Sequence, residues 1–360
     1  MPKRVATFDY KVDSFPVHAY KLRNAIAAFS GSKPNTYTAG PSASVAVDKF
    51  YGAVNLPDGR ILFIPYSKNV IGLYDPATGL YTDGVAVNVG SARFRGGCLH
   101  PETGKVILAP ILSPNIGIYD TRTNTFTLGA NLGASPGYHG AIVSSLTGKV
   151  ILVPGTSLYV GIYDPVTDTF TQGPAHGGTT SVYFSGAEEL PDGRILLIPY
   201  SAGSFKIYDP VANTISNGPS GITSAAFVGS VKLPNGDVVC VPYSATTVTI
   251  YRWRSGSLYT VAAPTGGAKF RYGALAPDGR VIFAPYTYDK VGWYDPSTDA
   301  YGEGEALGLG TAGKFSGAIQ AVTGEIIFAP FVNEAVGRFK AVSAGALPAA
   351  TLASPQWNKS

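Results

Sequence analysis

The run LPDGRILFIPYSKNVIGLYDPATGLYTDG, residues 56–84, decides the fold, because recognisable copies of it recur to the end of the chain. The copies register on a proline that closes a short apolar run: Pro65, Pro110, Pro154, Pro199, Pro242, Pro285 and Pro330, spaced by 45, 44, 45, 43, 43 and 45 residues. Self-similarity of this period marks a repeat architecture, and about 40 to 50 residues is the length of a four-stranded propeller blade. The seven copies predict an all-β fold, a seven-bladed β-propeller of four-stranded antiparallel blades.

Within a copy, four strands can be read. An aromatic-x-Gly opening such as Phe50-Tyr51-Gly52 or Phe94-Arg95-Gly96 leads strand a, with Phe270-Arg271-Tyr272 the one departure at the glycine. Asp58-Gly59, Asp192-Gly193, Asn235-Gly236 and Asp278-Gly279 supply the positive φ angles that a two-residue hairpin needs. Strand b is apolar on both faces, as a strand packed between neighbouring sheets must be. Strand c ends in Tyr-Asp, where the Asp can bond its own backbone and turn the chain. Strand d is short and carries an aromatic or apolar residue such as Tyr81 or Phe126.

The seventh copy lacks a clear fourth strand, whereas Asn35-Thr36-Tyr37-Thr38 matches Asn124-Thr125-Phe126-Thr127 in phase. The N-terminal segment is therefore expected to close the last blade, leaving no free sheet edge at the seam; a strand from residues 345–352 is the rival. This divides the chain into an N-terminal extension (1–34), the propeller (35–345) and a C-terminal tail (346–360). In the extension, residues 17–29 space apolar side chains at helical intervals, predicting a short amphipathic helix. Its Tyr20, Leu22, Ile26 and Phe29 are candidates for docking on the propeller's own face, on another copy or on a protein partner.

The PDGR turn, the apolar strand and the YDPxT turn resemble the repeat of kelch proteins and of galactose-oxidase-like propellers. The family's double glycine after strand b is replaced here by Pro-Tyr, as at Pro65-Tyr66 and Pro199-Tyr200. Uninterrupted arrays with this proline variant also resemble propellers of bacteriophage virion proteins, which implies a place in a virion. The copper-radical chemistry of galactose-oxidase-like enzymes needs a Cys, Tyr and His set without a counterpart here, so neither metal nor other cofactor is expected.

Only 14% of the 360 residues are charged and the net charge is +4, so charge alone implies no nucleic-acid partner. Cys98 and Cys240 fall three blades apart and read as core filling. No apolar run reaches the roughly 18 residues of a membrane helix, and a signal-peptide core is missing, which predicts cytoplasmic synthesis without membrane insertion.

Aligning the blades gathers Lys49, Tyr51, Arg93, Arg95, His139, Lys269, Arg271 and Lys314 at the entry to strand a. Clustered cations attract anions, and arginine forks suit carboxylates, so these are the candidate ligand residues, with acidic glycan as a partner. Tyr66, Tyr159, Tyr200, Tyr243, Tyr286 and Tyr288 add aromatic surface on the same face. Glu188 stands where other blades place Val54, Cys98, Ile142, Val231 and Ile319. A carboxylate there must be paired, protonated or wet, which makes Glu188, with His139, a candidate acid or base. Glu189, aligned with Lys232 one blade on, suggests an interblade ion pair.

No nucleophile with a base at motif spacing stands out. The expected role is thus a non-enzymatic structural or interaction module that self-assembles or joins a virion. The alternatives are a carbohydrate-binding attachment propeller and a polysaccharide-degrading hydrolase or lyase.

Overall fold

The computed structural model describes residues 35–44, 48–90, 93–134, 136–178, 183–310 and 312–341. The helix expected over 17–29, with its docking candidates Tyr20, Leu22, Ile26 and Phe29, and the tail lie outside them. The described residues form seven four-stranded sheets. In the first, β2 (Phe50–Asn55), β3 (Ile61–Pro65), β4 (Val70–Asp75) and β5 (Leu80–Ala86) pair antiparallel in chain order, and the next five sheets repeat this plan. The seventh consists of β26 (Phe315–Gln320), β27 (Ile326–Pro330) and β28 (Ala335–Lys340), with β1 (Thr36–Ser42) as its outer strand. Tyr37 lies opposite Phe339 and Thr36 opposite Lys340 in that pairing.

Strand b is buried along its whole length, as in β3 and in Ile195–Pro199, because sheets cover both of its faces. The core accordingly lies between blades, for example where Leu62 and Ile64 of the first meet Phe94, Val106 and Leu108 of the second. The Tyr of each Tyr-Asp pair is buried, at Tyr74, Tyr119, Tyr163, Tyr208 and Tyr294. The Asp caps its turn: Asp75 Oδ1 accepts from the Ala77 amide at 2.9 Å, and Asp164 Oδ1 from Val166 at 2.9 Å.

In five blades strand c carries a glycine where the strand a aromatic lies across it; the fourth and fifth have Lys206 and Thr249 there. A Cβ on Gly117 would stand 2.7 Å from Phe94 Cζ, and one on Gly72 equally close to Phe50. Gly117→Ala is expected to destabilise the fold by ~1–3 kcal/mol through overpacking. A urea midpoint unchanged by that substitution would show that the ring moves aside freely.

The aromatic-x-Gly opening is a bulge: Phe50 pairs Pro65, the register shifts, and pairing resumes at Ala53 with Phe63. At this level the inner strands nearly touch, since a Cβ on Gly96 would lie 2.9 Å from the Gly140 Cα. The sixth blade places Tyr272 in this glycine ring at φ 57°, a left-handed conformation seldom taken by tyrosine. The ring therefore admits a phenol at one point and narrows the axial channel there.

Candidate functional site

Each strand a enters from the d-to-a loop, and the residue just before its aromatic is still in that loop. Four cations occupy this position, and all are buried. Lys49 Nζ donates to Val332 O at 3.3 Å, Arg93 Nη1 to Lys68 O at 2.9 Å and Lys314 Nζ to Thr287 O at 3.1 Å. Lys269 Nζ donates to Ala245 O at 2.8 Å and Gly266 O at 2.7 Å. Every one of them reaches the b-to-c loop of the preceding blade, so these cations staple loop carbonyls between blades. Burial lowers the Lys269 and Lys314 ammonium pKa values and brings Lys49 down to about 8.

The residue just after the aromatic points to the axis instead. There Arg95 and Arg271 approach one ring from two blades: the Arg95 Cζ lies 4.7 Å and the Arg271 Cζ 5.3 Å from the Tyr51 centroid. Arg271 also sits 3.6 Å over Tyr286, and Arg95 Nη2 donates to Tyr66 Oη at 3.3 Å. Among the described residues neither guanidinium forms an ion pair with a carboxylate, and neither Nε finds an acceptor. Two like charges held by aromatic faces and phenol oxygens, with no carboxylate beside them, create a positive mouth.

Around them Tyr66, Phe331, Tyr286, Tyr243 and Tyr200 form an arc with successive ring centroids 6.1, 5.8, 6.1 and 5.8 Å apart. Tyr159 opens a strand c, and Tyr288 donates to Glu303 Oε2 at 2.7 Å, so both stand apart from the arc. The arc stops short of Gly155, which follows Pro154 where four other blades have tyrosine, the seventh Phe331 and the second Ile111. His139 fills that gap: a Cβ on Gly155 would meet the imidazole at 2.2 Å. The His139 Nε2 lies 3.4 Å from Arg95 Nη1. Burial, and then the Arg95 charge, push the His139 pKa down to about 3, so its ring is neutral at ordinary pH.

His176 is not part of this group; its Nε2 lies 2.9 Å from Ser157 O and its ring packs on Tyr183. His100 bonds Thr103 and Gly148 in an a-to-b turn. Among the described residues no three His, Cys, Asp or Glu side chains come together as a metal site would require.

Glu188 lies deeper along the axis. Its carboxylate accepts from Ser230 Oγ at 3.1 Å and lines two voids, an upper one of about 150 Å³ shared with His139 and Tyr272 and a lower one of about 390 Å³ shared with Lys232 and Gln320. Desolvation raises its pKa to about 7 against the Ser230 bond and the Lys232 charge. The side chain is half-buried, with its exposed part towards the channel. The Glu189–Lys232 pair expected from the alignment takes another form: Lys232 Nζ bonds the Glu189 carbonyl at 2.8 Å, while the Glu189 carboxylate accepts from the Ser145 amide.

Sequence alignment by blade finds the mouth but not its division into staples and free groups. The useful signals are departures from the repeat, Tyr272 for Gly and Gly155 for Tyr, of which the first stands out in the sequence and the second acquires meaning only beside His139.

No family model and no curated protein matches the chain. Solved structures do. A streptogramin B lyase superposes with a TM-score of 0.73 at 16% identity, covering 86% of this chain and 99% of its own. Virginiamycin B lyase from Staphylococcus aureus gives 0.71 at 13% identity, over 85% and 99%. A catalytically inactive histidine-to-alanine form of that enzyme with quinupristin gives 0.73 at 14%, over the same shares. At such identities the likeness establishes the seven-bladed fold and no activity. These three are lyase propellers rather than kelch or phage-virion ones, and they correct the expectation of a non-enzymatic structural module: in them the same build serves as a catalytic scaffold.

Proposed function

We propose that this protein is a lyase that cleaves acidic polysaccharide by β-elimination at the positive mouth. The observation that carries the reading is the pair Arg95 and Arg271, two guanidiniums without acid partners, with the neutral imidazole of His139 at 3.4 Å from the first. In such a reaction the arginines hold the carboxylate of a uronic acid ring and draw charge from it, which acidifies the adjacent C5 proton. The His139 Nε2 takes that proton as general base. The C5–H electron pair forms the C4=C5 double bond as the C4–O bond breaks, and the departing oxygen takes a proton from the Tyr66 phenol, which solvent then restores. The aromatic arc suits the faces of neighbouring sugar rings.

The charge of Arg95 also gates the base. Arg95 is one of the two causes of the low His139 pKa, so a carboxylate bound on it raises the basicity of His139 when substrate is in place. Elimination is favoured over hydrolysis because hydrolysis ordinarily uses two carboxylates flanking the scissile bond. Glu188 is the one carboxylate lining either axial void. Lyases among proteins of the same fold add support.

The test is incubation with polygalacturonate, alginate and hyaluronan, following the ultraviolet absorbance of the conjugated double bond. Arg95→Ala and Arg271→Ala are each expected to raise KM by roughly 10- to 100-fold, the worth of a charged hydrogen bond, with an unchanged circular dichroism spectrum. Absence of unsaturated product from all three polymers, or full turnover in the double variant, rejects the assignment.

A further inference from the structure

The lower axial void has chemistry of its own, independent of the mouth. Its walls are the ends of strands a: Asn55, Lys232, Leu275 and Gln320 stand at its rim, and Glu188 with Ser230 lies further in. Other blades place apolar or small residues at the Glu188 register, among them Val54, Cys98 and Ile319, so packing between blades does not call for a carboxylate there. Glu188 accepts one hydrogen bond, from Ser230, and forms no ion pair among the described residues. An ionised carboxylate has several acceptor positions, so most of its capacity faces the void.

The neighbouring groups leave that capacity open. Asn55 Nδ2 is committed to the Gln320 carbonyl at 3.0 Å. Lys232 Nζ is tied back to the Glu189 carbonyl at 2.8 Å. The buried Cys240 thiol has its pKa raised, first by burial and then by the Glu188 charge. His139 and Tyr272 line the upper void and carry no negative charge near neutral pH. The cavity thus offers one carboxylate, walls that are otherwise uncharged apart from the tied-back Lys232 at the rim, and an open lower end.

We infer that the lower axial void is a binding site for a small organic cation, a primary ammonium group seated on the Glu188 carboxylate and entering from the face opposite the arginine mouth. Alkyl carbons of such a ligand would lie against Val231, Ala274 and Ile319, which line the same void. Binding requires ionised Glu188, so it strengthens as pH rises through the Glu188 pKa and releases a proton below it.

Isothermal titration of the full chain with n-butylamine, which is protonated throughout, tests this at pH 8.5 and pH 5.5. With Glu188 titrating at about 7, affinity is expected to fall about 30-fold at the lower pH. Glu188→Gln keeps the shape and abolishes binding; Glu188→Val, the residue found at this register in the first blade, is the second control. Lys232→Ala removes the one cation at the rim and tightens binding. Absence of heat at pH 8.5, equal affinity at the two pH values, or undiminished binding in a folded Glu188 variant overturns the inference. None of these outcomes depends on polysaccharide cleavage, so the two readings fail separately.

Discussion

His139→Ala lowers kcat on the responsive polyuronate by about 10²–10⁴-fold, the usual contribution of a positioned general base, and leaves KM nearly unchanged. The arginines that hold the carboxylate remain in place, so only an interaction made in the transition state is lost. Added imidazole is expected to restore part of the rate, which a purely structural role for His139 would not produce. The pH dependence carries the same signature. A base works only while unprotonated, so activity disappears as pH falls through its pKa. In the free protein burial and Arg95 keep His139 at about 3, and kcat/KM therefore holds its plateau well below the ordinary histidine value of about 6.5. With a carboxylate on Arg95 one of those causes is offset, and the acid limb of kcat moves to higher pH than that of kcat/KM. Turnover within twofold of the parent in His139→Ala, or an acid limb of kcat/KM near the ordinary histidine value, refutes the role.

Arg280→Ala has the largest expected effect on stability, ~3–5 kcal/mol, the loss on breaking a buried ion pair from one side. Arg280 Nε donates to Asp278 Oδ2 at 2.7 Å, and both side chains are almost wholly buried. Its other nitrogens donate to Asn35 Oδ1 at 2.8 Å and Ala341 O at 3.0 Å, the residues that flank β1 and β28. The guanidinium also lies 4.8 Å over Trp293. Alanine would strand the Asp278 carboxylate and unfasten the sixth blade from the closing sheet. The same PDGR turn provides controls at Arg60 and Arg194, whose side chains are 34% and 44% exposed. Exposed pairs contribute ~0–1 kcal/mol, so alanine at either is expected to shift the urea midpoint little. Equal losses at all three positions would dismiss the seam argument.

That contrast illustrates where the sequence stops being legible. Arg60, Arg194 and Arg280 occupy identical motifs, and nothing local separates them. Their difference arises because Asn35 and Ala341, which flank β1 and β28 of the closing sheet, lie against one of them. The mouth behaves in the same way. Lys49, Arg93, Lys269 and Lys314 stand two residues before Tyr51, Arg95, Arg271 and Ser316, yet the first set bonds loop carbonyls while Arg95 and Arg271 face the axis. The second position falls inside the bulge that follows the aromatic, and bulges redirect side chains in ways that strand alternation does not convey. The recurrence of a cation at one aligned position in four blades fits a repeated structural duty, since every blade has a loop to staple.

The features that repeat are legible along the chain: seven blades, four strands in each, the Asp-Gly and Tyr-Asp turns and the apolar strand b. These follow from local preferences and from a period long enough to be counted. Which departures from the repeat converge depends on how the ring closes. Arg95, His139, Arg271 and Tyr272 come from the second, third and sixth blades, and closing the ring brings them to one axis. Their meeting depends on contacts between residues far apart in the chain, which no local pattern encodes, so the fold was readable along the sequence and the candidate site across the ring.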